Sequence, residues 1–206
     1  MLLRRLSTLL VLFCLLLTSA VHSQPELAAA GCLDIGNVSD SILDILYIQA
    51  DRLWHAGQYT KIVPIYRLIT RLDPQDEEAW ACGAWILISG IAPTKKGASR
   101  KQCEEKGIEI LKEGIRSNPD TYRLYWELGW VYYSWQKYED ALSLFDKSIQ
   151  YDHPFYVETT RAHTLAKLGR YKEAVRQWEQ VKEKYPHMKD VAEKFISQFK
   201  DAQDAP

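Results

Sequence analysis

The chain has 206 residues and a formal net charge of −1 at pH 7, with no long run of one sign. That balance leaves no electrostatic footprint for nucleic acid or an anionic membrane surface as partner. With an amino-terminal leader set aside, about 180 residues remain, enough for one domain with a continuous core.

Arg4 and Arg5 stand before an apolar run, Leu9 to Leu17, and Thr18 to Ser23 follows with small residues at Ala20 and Ser23. A basic start, a short apolar run and small residues beyond it predict a secretory signal peptide over 1–23. A spanning helix needs about 20 apolar residues. Stretched from Leu6 to Val21, the same run would instead give an uncleaved anchor. Residues 24–40 are expected to be a linker. Within it Ala28-Ala29-Ala30-Gly31-Cys32 offers a bacterial lipoprotein site, although polar residues from His22 to Glu26 separate Cys32 from the apolar run. A lipidated Cys32 would tether the protein to a membrane. The expected location is therefore exported, in the periplasm or cell envelope. In a eukaryotic secretory route Asn37-Val38-Ser39 would be a glycosylation acceptor. With Cys14 lost in the leader, Cys32, Cys82 and Cys103 cannot close a disulfide framework. An oxidising compartment permits one bond, but Cys82 and Cys103 fall at poorly matched places on their helices, and isolated thiols are expected.

From residue 41 onward one order of residues recurs. Ala50, Leu53, Gly57, Tyr59, Ile62, Tyr66 and Pro74 give the first copy, and Ala162, Leu165, Gly169, Tyr171, Ala174, Trp178 and Pro186 the last. Gly129, Tyr132, Tyr138, Ala141, Phe145 and Pro154 form the clearest middle copy. This order, at a period near 34, resembles the tetratricopeptide repeat family, whose unit is a helix, a turn and a second helix. The resemblance implies an all-α fold, a right-handed α-solenoid of about four helix-turn-helix repeats over 41–200. The repeats fall at about 43–76, 77–121 with an insertion at 91–101, 122–154 and 155–188. A capping helix at 189–200, presenting Val191, Phe195 and Phe199, and a tail at 201–206 complete it.

A helical hairpin cannot bury its apolar face alone, so repeats must stack, and stacking demands small residues at the closest crossings. The first helices supply Ala50, Ala84, Gly129 and Ala162. The second helices supply Gly107 and Gly114, Ala141 and Ser148, and Ala174 and Val181; the first repeat departs with Ile62 and Ile69. Gly107 and Gly114 would each cost a helix about 1 kcal/mol relative to Ala, so their place in these slots points to packing. Thr60 is expected to cap the helix that contains Pro64. In the second repeat Gly90, Pro93 and Gly97 mark a loop. Ser99 and Gln102 then read as a capping box that starts the next helix near Arg100. Lys95, Lys96, Arg100 and Lys101 make that insertion basic, which suits a solvated loop or contact with an acidic partner or lipid headgroups.

Catalytic motifs do not assemble. The five histidines are scattered, and no His-Glu-x-x-His, Cys-x-x-Cys or glycine-rich phosphate loop occurs. A non-enzyme without cofactor or metal is expected. Aromatic surface stands out instead, with seven Trp and twelve Tyr, more than small-slot packing requires. The resemblance implies that first helices line a concave groove. Its stripe falls on Tyr47, Asp51 and Trp54, then Glu78, Trp85 and Ile88. It continues through Arg123, Trp126, Trp130 and Tyr133 to Tyr156, His163 and Lys167. Rigid aromatics bury much area at small entropic cost and suit binding hot spots, and Asp51 and Glu78 against Arg123 and Lys167 would set a charge gradient. Alternatively, that face packs on a neighbouring repeat or on the amino-terminal segment. Some family members grip a terminal carboxylate with Lys, Asn and Arg. Here Tyr47, Asp51, Cys82 and Glu127 stand in those places, so that clamp is absent.

The expected partner is a protein or peptide segment. No nucleic acid is implied, and a membrane only through an uncleaved signal or a lipidated Cys32. The alternative is a homo-oligomer that buries its aromatics between protomers, or a lipoprotein aiding outer-membrane or pilus assembly.

Overall fold

The computed structural model describes residues 35–204 of the chain. The signal peptide, Cys32 and most of the linker lie outside the described residues. Apolar residues spaced three to four apart make each segment a helix with one sticky face, and each segment then turns back to bury it. The first pair is α1, Ile35–His55, and α2, Tyr59–Leu72. The second is α3, Glu77–Trp85, and α4, Gly97–Ser117. Then follow α5, Tyr122–Ser134, with α6, Tyr138–Ser148, and α7, Phe155–Lys167, with α8, Tyr171–Lys184. After a 3-10 turn at Pro186–Met188, α9 covers Lys189–Asp204.

The hairpin turns show why Gly recurs. Gly57 and Gly169 take φ of +67° and +72°, which costs glycine nothing and lets the chain reverse within three residues. The amide after each reaches back to the helix it leaves: Gln58 N–H donates to Leu53 O and Arg170 N–H to Leu165 O, both at 2.9 Å. The third hairpin uses the same closure, Lys137 to Tyr132, but Gln136 takes the left-handed conformation at φ +60°.

Stacking follows the small slots, since all twelve of the residues named for them are buried. A Cβ on Gly129 would lie 2.6 Å from Phe145 Cε1, one on Gly114 would lie 2.8 Å from Trp80 Cγ, and one on Gly107 would run into Ile88. The interior continues from a cluster around Trp80, Leu111 and Leu124 to one around Leu165, Trp178 and Val181.

Several local expectations are corrected. α1 begins at Ile35, so part of the expected linker is helical, and α9 runs past Lys200 into the expected tail. The N-cap of α2 is Gln58, with Thr60 inside the first turn; Pro64 sits within α2, where it removes one helix bond. The insertion is no loop. α3 continues as a π-helical segment, Ile86–Ile91, and a 3-10 turn, Ala92–Thr94, while α4 starts at Gly97. Ile86, Leu87, Ile88, Ile91 and Ala92 are all buried, and the wider π turn keeps this run packed against α2 and α4. Ser99 therefore lies within α4 and caps nothing. On α9 the covering face is Ala192, Phe195 and Phe199, with Phe195 stacked on Trp178 at 4.8 Å. Val191 is 41% exposed. Among the described residues, no helix is long and apolar enough to cross a membrane.

Candidate functional site

The first helices of the hairpins, α1, α3, α5 and α7, carry two kinds of surface. On one of them the residues are polar and satisfied. Tyr47 OH donates to Asp76 Oδ2 at 2.7 Å, and Asp76 also caps α3 by accepting from the Ala79 amide. Burial pushes the Tyr47 phenol far above its ordinary range, and the Asp76 carboxylate adds to it. Cys82 Sγ donates to Glu78 Oε1 at 2.9 Å. Burial raises this thiol, as does the Glu78 charge, so Cys82 is held neutral and unreactive. Arg123 pairs with Glu78. Burial also raises Glu127, which Arg123 opposes. Arg123 and Glu78 thus neutralise each other and form no opposed ends of a gradient.

The other surface is aromatic. Trp54 packs on Tyr59 at 4.9 Å and on Trp85 at 5.5 Å. On α5 the rings of Trp126, Trp130 and Tyr133 form a near-parallel stack at 5.8 and 5.3 Å, tilted by 15° and 12°. Spacings of four and three put them on one helix face. Tyr138 closes the stack edge-on at 5.3 Å. At its other end Trp126 meets Tyr156 edge-on at 5.0 Å, with its Nε1–H toward Thr160 Oγ1 at 3.4 Å. Trp126 is therefore a bridge between α5 and α7. Trp85 and Trp130 stay open, at 47% and 44% exposure.

The other expected groove residues divide. Asp51 is exposed beside His55, and Lys167 is exposed. His163 is enclosed by Trp178, Phe195 and Phe199, with ring centroids 4.5 to 6.4 Å away. Burial lowers its pKa, and Lys167 adds to that; α9 covers it, so it is not a groove residue. Ile88 faces inward against Gly107. Tyr59 and Tyr138, which complete the two aromatic clusters, are missing from the expected stripe. Their signal was the Tyr that opens three of the four second helices, at Tyr59, Tyr138 and Tyr171.

A surface hollow of about 510 Å³ lies elsewhere, between α8 and α9, lined by Lys172, Val175, Arg176, Lys200 and Gln203. Among the described residues no cluster of His, Cys, Asp or Glu is placed to hold a metal.

Stacked antiparallel hairpins with small residues at the crossings and an aromatic face on the first helices define an α-solenoid scaffold, a class that presents extended surfaces to protein partners. Residues 122–152, the third hairpin, match the tetratricopeptide repeat family, and the described residues share the fold of tetratricopeptide repeat structures. Solved structures of that fold superpose on most of the chain. TTC0263, a protein from Thermus thermophilus, aligns at TM-score 0.59 and 18% identity, over 75% of this chain and 80% of its own. MamA aligns at 0.58 and 15%, over 79% and 84%. YrrB, described as a tetratricopeptide repeat protein with an unusual peptide-binding site, aligns at 0.54 and 16%, over 75% and 74%. At these identities the likeness is one of fold. No curated protein matches by sequence.

Proposed function

We propose that the protein is an exported scaffold that binds a protein or peptide segment across the aromatic face of α1, α3 and α5. The open Trp130 ring in the Trp126–Trp130–Tyr133 stack carries this reading. Neighbouring rings hold it in place, so a ligand would meet a flat apolar platform already ordered, which removes part of the entropic cost of binding. Trp85, on its base of Trp54 and Tyr59, supplies a second anchor. Two aromatic anchors at about 2 kcal/mol each, with backbone contacts along the groove, suit a segment bound at micromolar affinity. The peptide-binding site described for YrrB supports this use of the fold.

Panning a displayed library of random linear peptides tests the proposal. Wild type should enrich binders, and W85A and W130A should each weaken them by about tenfold or more. Binders indifferent to both substitutions would place recognition elsewhere. Export rests on the pattern over 1–23. Mass spectrometry of the mature chain should find a start at Gln24; a start at a lipidated Cys32 would make it an envelope lipoprotein, and an intact Met1 would refute cleavage.

A further inference from the structure

We infer that the amino-terminal end of the solenoid, the outer face of α1 and α2, is a self-association surface that pairs two copies about a two-fold axis. The small slots align the repeats. The residue five before each slot is Ala79, Leu124 or Val157 in the second, third and fourth hairpins, and each is fully buried, Leu124 beside Gly114 of the hairpin before it. The matching residue of the first hairpin is Ile45, which is 64% exposed. Ile42 and Ile48 flank it one helical step away and are also exposed. On α2 the residues six and ten beyond Ile62 are Leu68 and Leu72, both exposed. The same steps in α6 and α8 reach Lys147 and Tyr151, and Gln180 and Lys184. Five of the eight large hydrophobics exposed among the described residues thus sit on this one hairpin, whereas terminal repeats of a soluble solenoid need a polar outer face.

The occupant we assign is a second copy. Stacking a preceding hairpin's exit face here in head-to-tail fashion is blocked, because α9 covers that face on the last hairpin and turns Asp190, Glu193, Lys194 and Ser197 outward. What remains for two identical chains is an isologous pairing of this face with itself. Its charges suit one. Asp40 and Asp44 lie on α1, Lys61 and Arg71 on α2, all exposed. None of the four enters an ion pair among the described residues. Because α1 and α2 run antiparallel from the turn at 56–58, Asp44 lies level with Arg71. A two-fold axis parallel to the helices lays α1 on α2 of the partner subunit. Ile42 and Ile45, flanked by Ile48, then meet Leu72 and Leu68 of the partner subunit, and Asp44 meets Arg71 of the partner subunit, each contact occurring twice.

The face is small. The 14 residues of α2 span about 21 Å, and two helices about 10 Å apart present on the order of 400 to 600 Å² per subunit. That is below the roughly 800 Å² of a standard stable interface, so the dimer should dissociate in the micromolar range.

Sedimentation velocity of the purified full chain across about 1 to 200 µM tests it. Wild type should shift from monomer to dimer, and I45D/I48D should stay monomeric. D44R and R71D should each weaken the dimer about tenfold, and D44R/R71D should restore it to within about threefold, since reversing both signs re-creates both pairs. Circular dichroism checks that I45D/I48D folds; the charge variants lie on the surface and decide the matter if it does not. A chain monomeric at every concentration, covered by its own preceding residues or by another protein, would overturn the inference. So would association indifferent to D44R, or a double swap no better than either single.

Discussion

Gly129 is where helix propensity and packing oppose each other most directly, and G129A should lower stability. In an ordinary helix interior, Gly to Ala gains about 1 kcal/mol. Here the new methyl would sit 2.6, 2.9 and 3.1 Å from Cε1, Cδ1 and Cζ of Phe145. Phe145 is fully buried, so its ring cannot swing into solvent and must push on its neighbours by nearly 1 Å. Overpacking of that kind costs about 1 to 3 kcal/mol, which leaves a net loss of about 1 kcal/mol and a Tm lower by roughly 2 to 4 °C. G90A is the control: its methyl meets nothing nearer than Ile86 and Tyr59 at 3.9 Å, so it should hold or raise the Tm. The ring is the assigned cause, so F145L should relieve the penalty. In urea melts G129A and F145L should couple by about 1 kcal/mol rather than add. A G129A protein as stable as wild type, or penalties that simply add, would refute the reasoning.

Three other outcomes follow from named contacts. Y47F removes the 2.7 Å bond to Asp76 and should cost about 1 kcal/mol, whereas D76A also strips the α3 cap and should cost about 2 kcal/mol in denaturant melts. Buried Glu158 accepts from His153, Gln177, Lys184 and Tyr185. Burial alone would raise its carboxyl pKa, but the Lys184 and His153 bonds outweigh it and hold it below the ordinary value of 4.5. A depressed acid adds stability that is full above its unfolded pKa and lost as pH falls through its folded one. Wild-type urea midpoints should therefore drop between about pH 5 and pH 3 more steeply than those of E158Q; equal slopes would remove Glu158 as the cause. Finally, W126A should lower the Tm by losing the edge contact with Tyr156 and the Thr160 bond, whereas W130A, almost half exposed, should leave it within about 2 °C.

The stacking plan was legible because it is written in residue size. Ala50, Ala84, Gly129 and Ala162 recur at a helix-pair period, and nothing larger fits where Phe145, Trp80 or Ile88 crosses. The second hairpin misled for a physical reason. Gly90, Pro93 and Gly97 are turn formers by local propensity, yet Ile86, Leu87, Ile88, Ile91 and Ala92 bury together, and tertiary burial outweighs about 1 kcal/mol of glycine cost. The helix widened to a π turn instead of ending. Ser99 then had no helix start to cap, because the break fell at Gly97.

The aromatic face was legible only in outline, since helical spacing tells which side chains share a face but not what a neighbouring hairpin lays over it. Trp126, Trp130 and Tyr133 share a face as their spacing requires. Yet Trp126 is spent on α7, and His163, one step along the same stripe in the next repeat, is closed over by Phe195 and Phe199 of α9. Tyr47 and Arg123 went the same way, to Asp76 and Glu78. These partners lie 29 to 45 positions away, beyond any local pattern. Each repeat thus consumes part of the stripe of the one before it, and the rings left over are those whose neighbour offers nothing to cover them. Trp85 and Trp130 remain open on the aromatic face, and Ile45 on the outer face of α1, by the same rule: a position buried in the later hairpins is exposed where no described hairpin lies against it or a ring outreaches its neighbour. In a solenoid, available surface is what stacking fails to consume, and it is found by comparing equivalent positions rather than by reading any one helix.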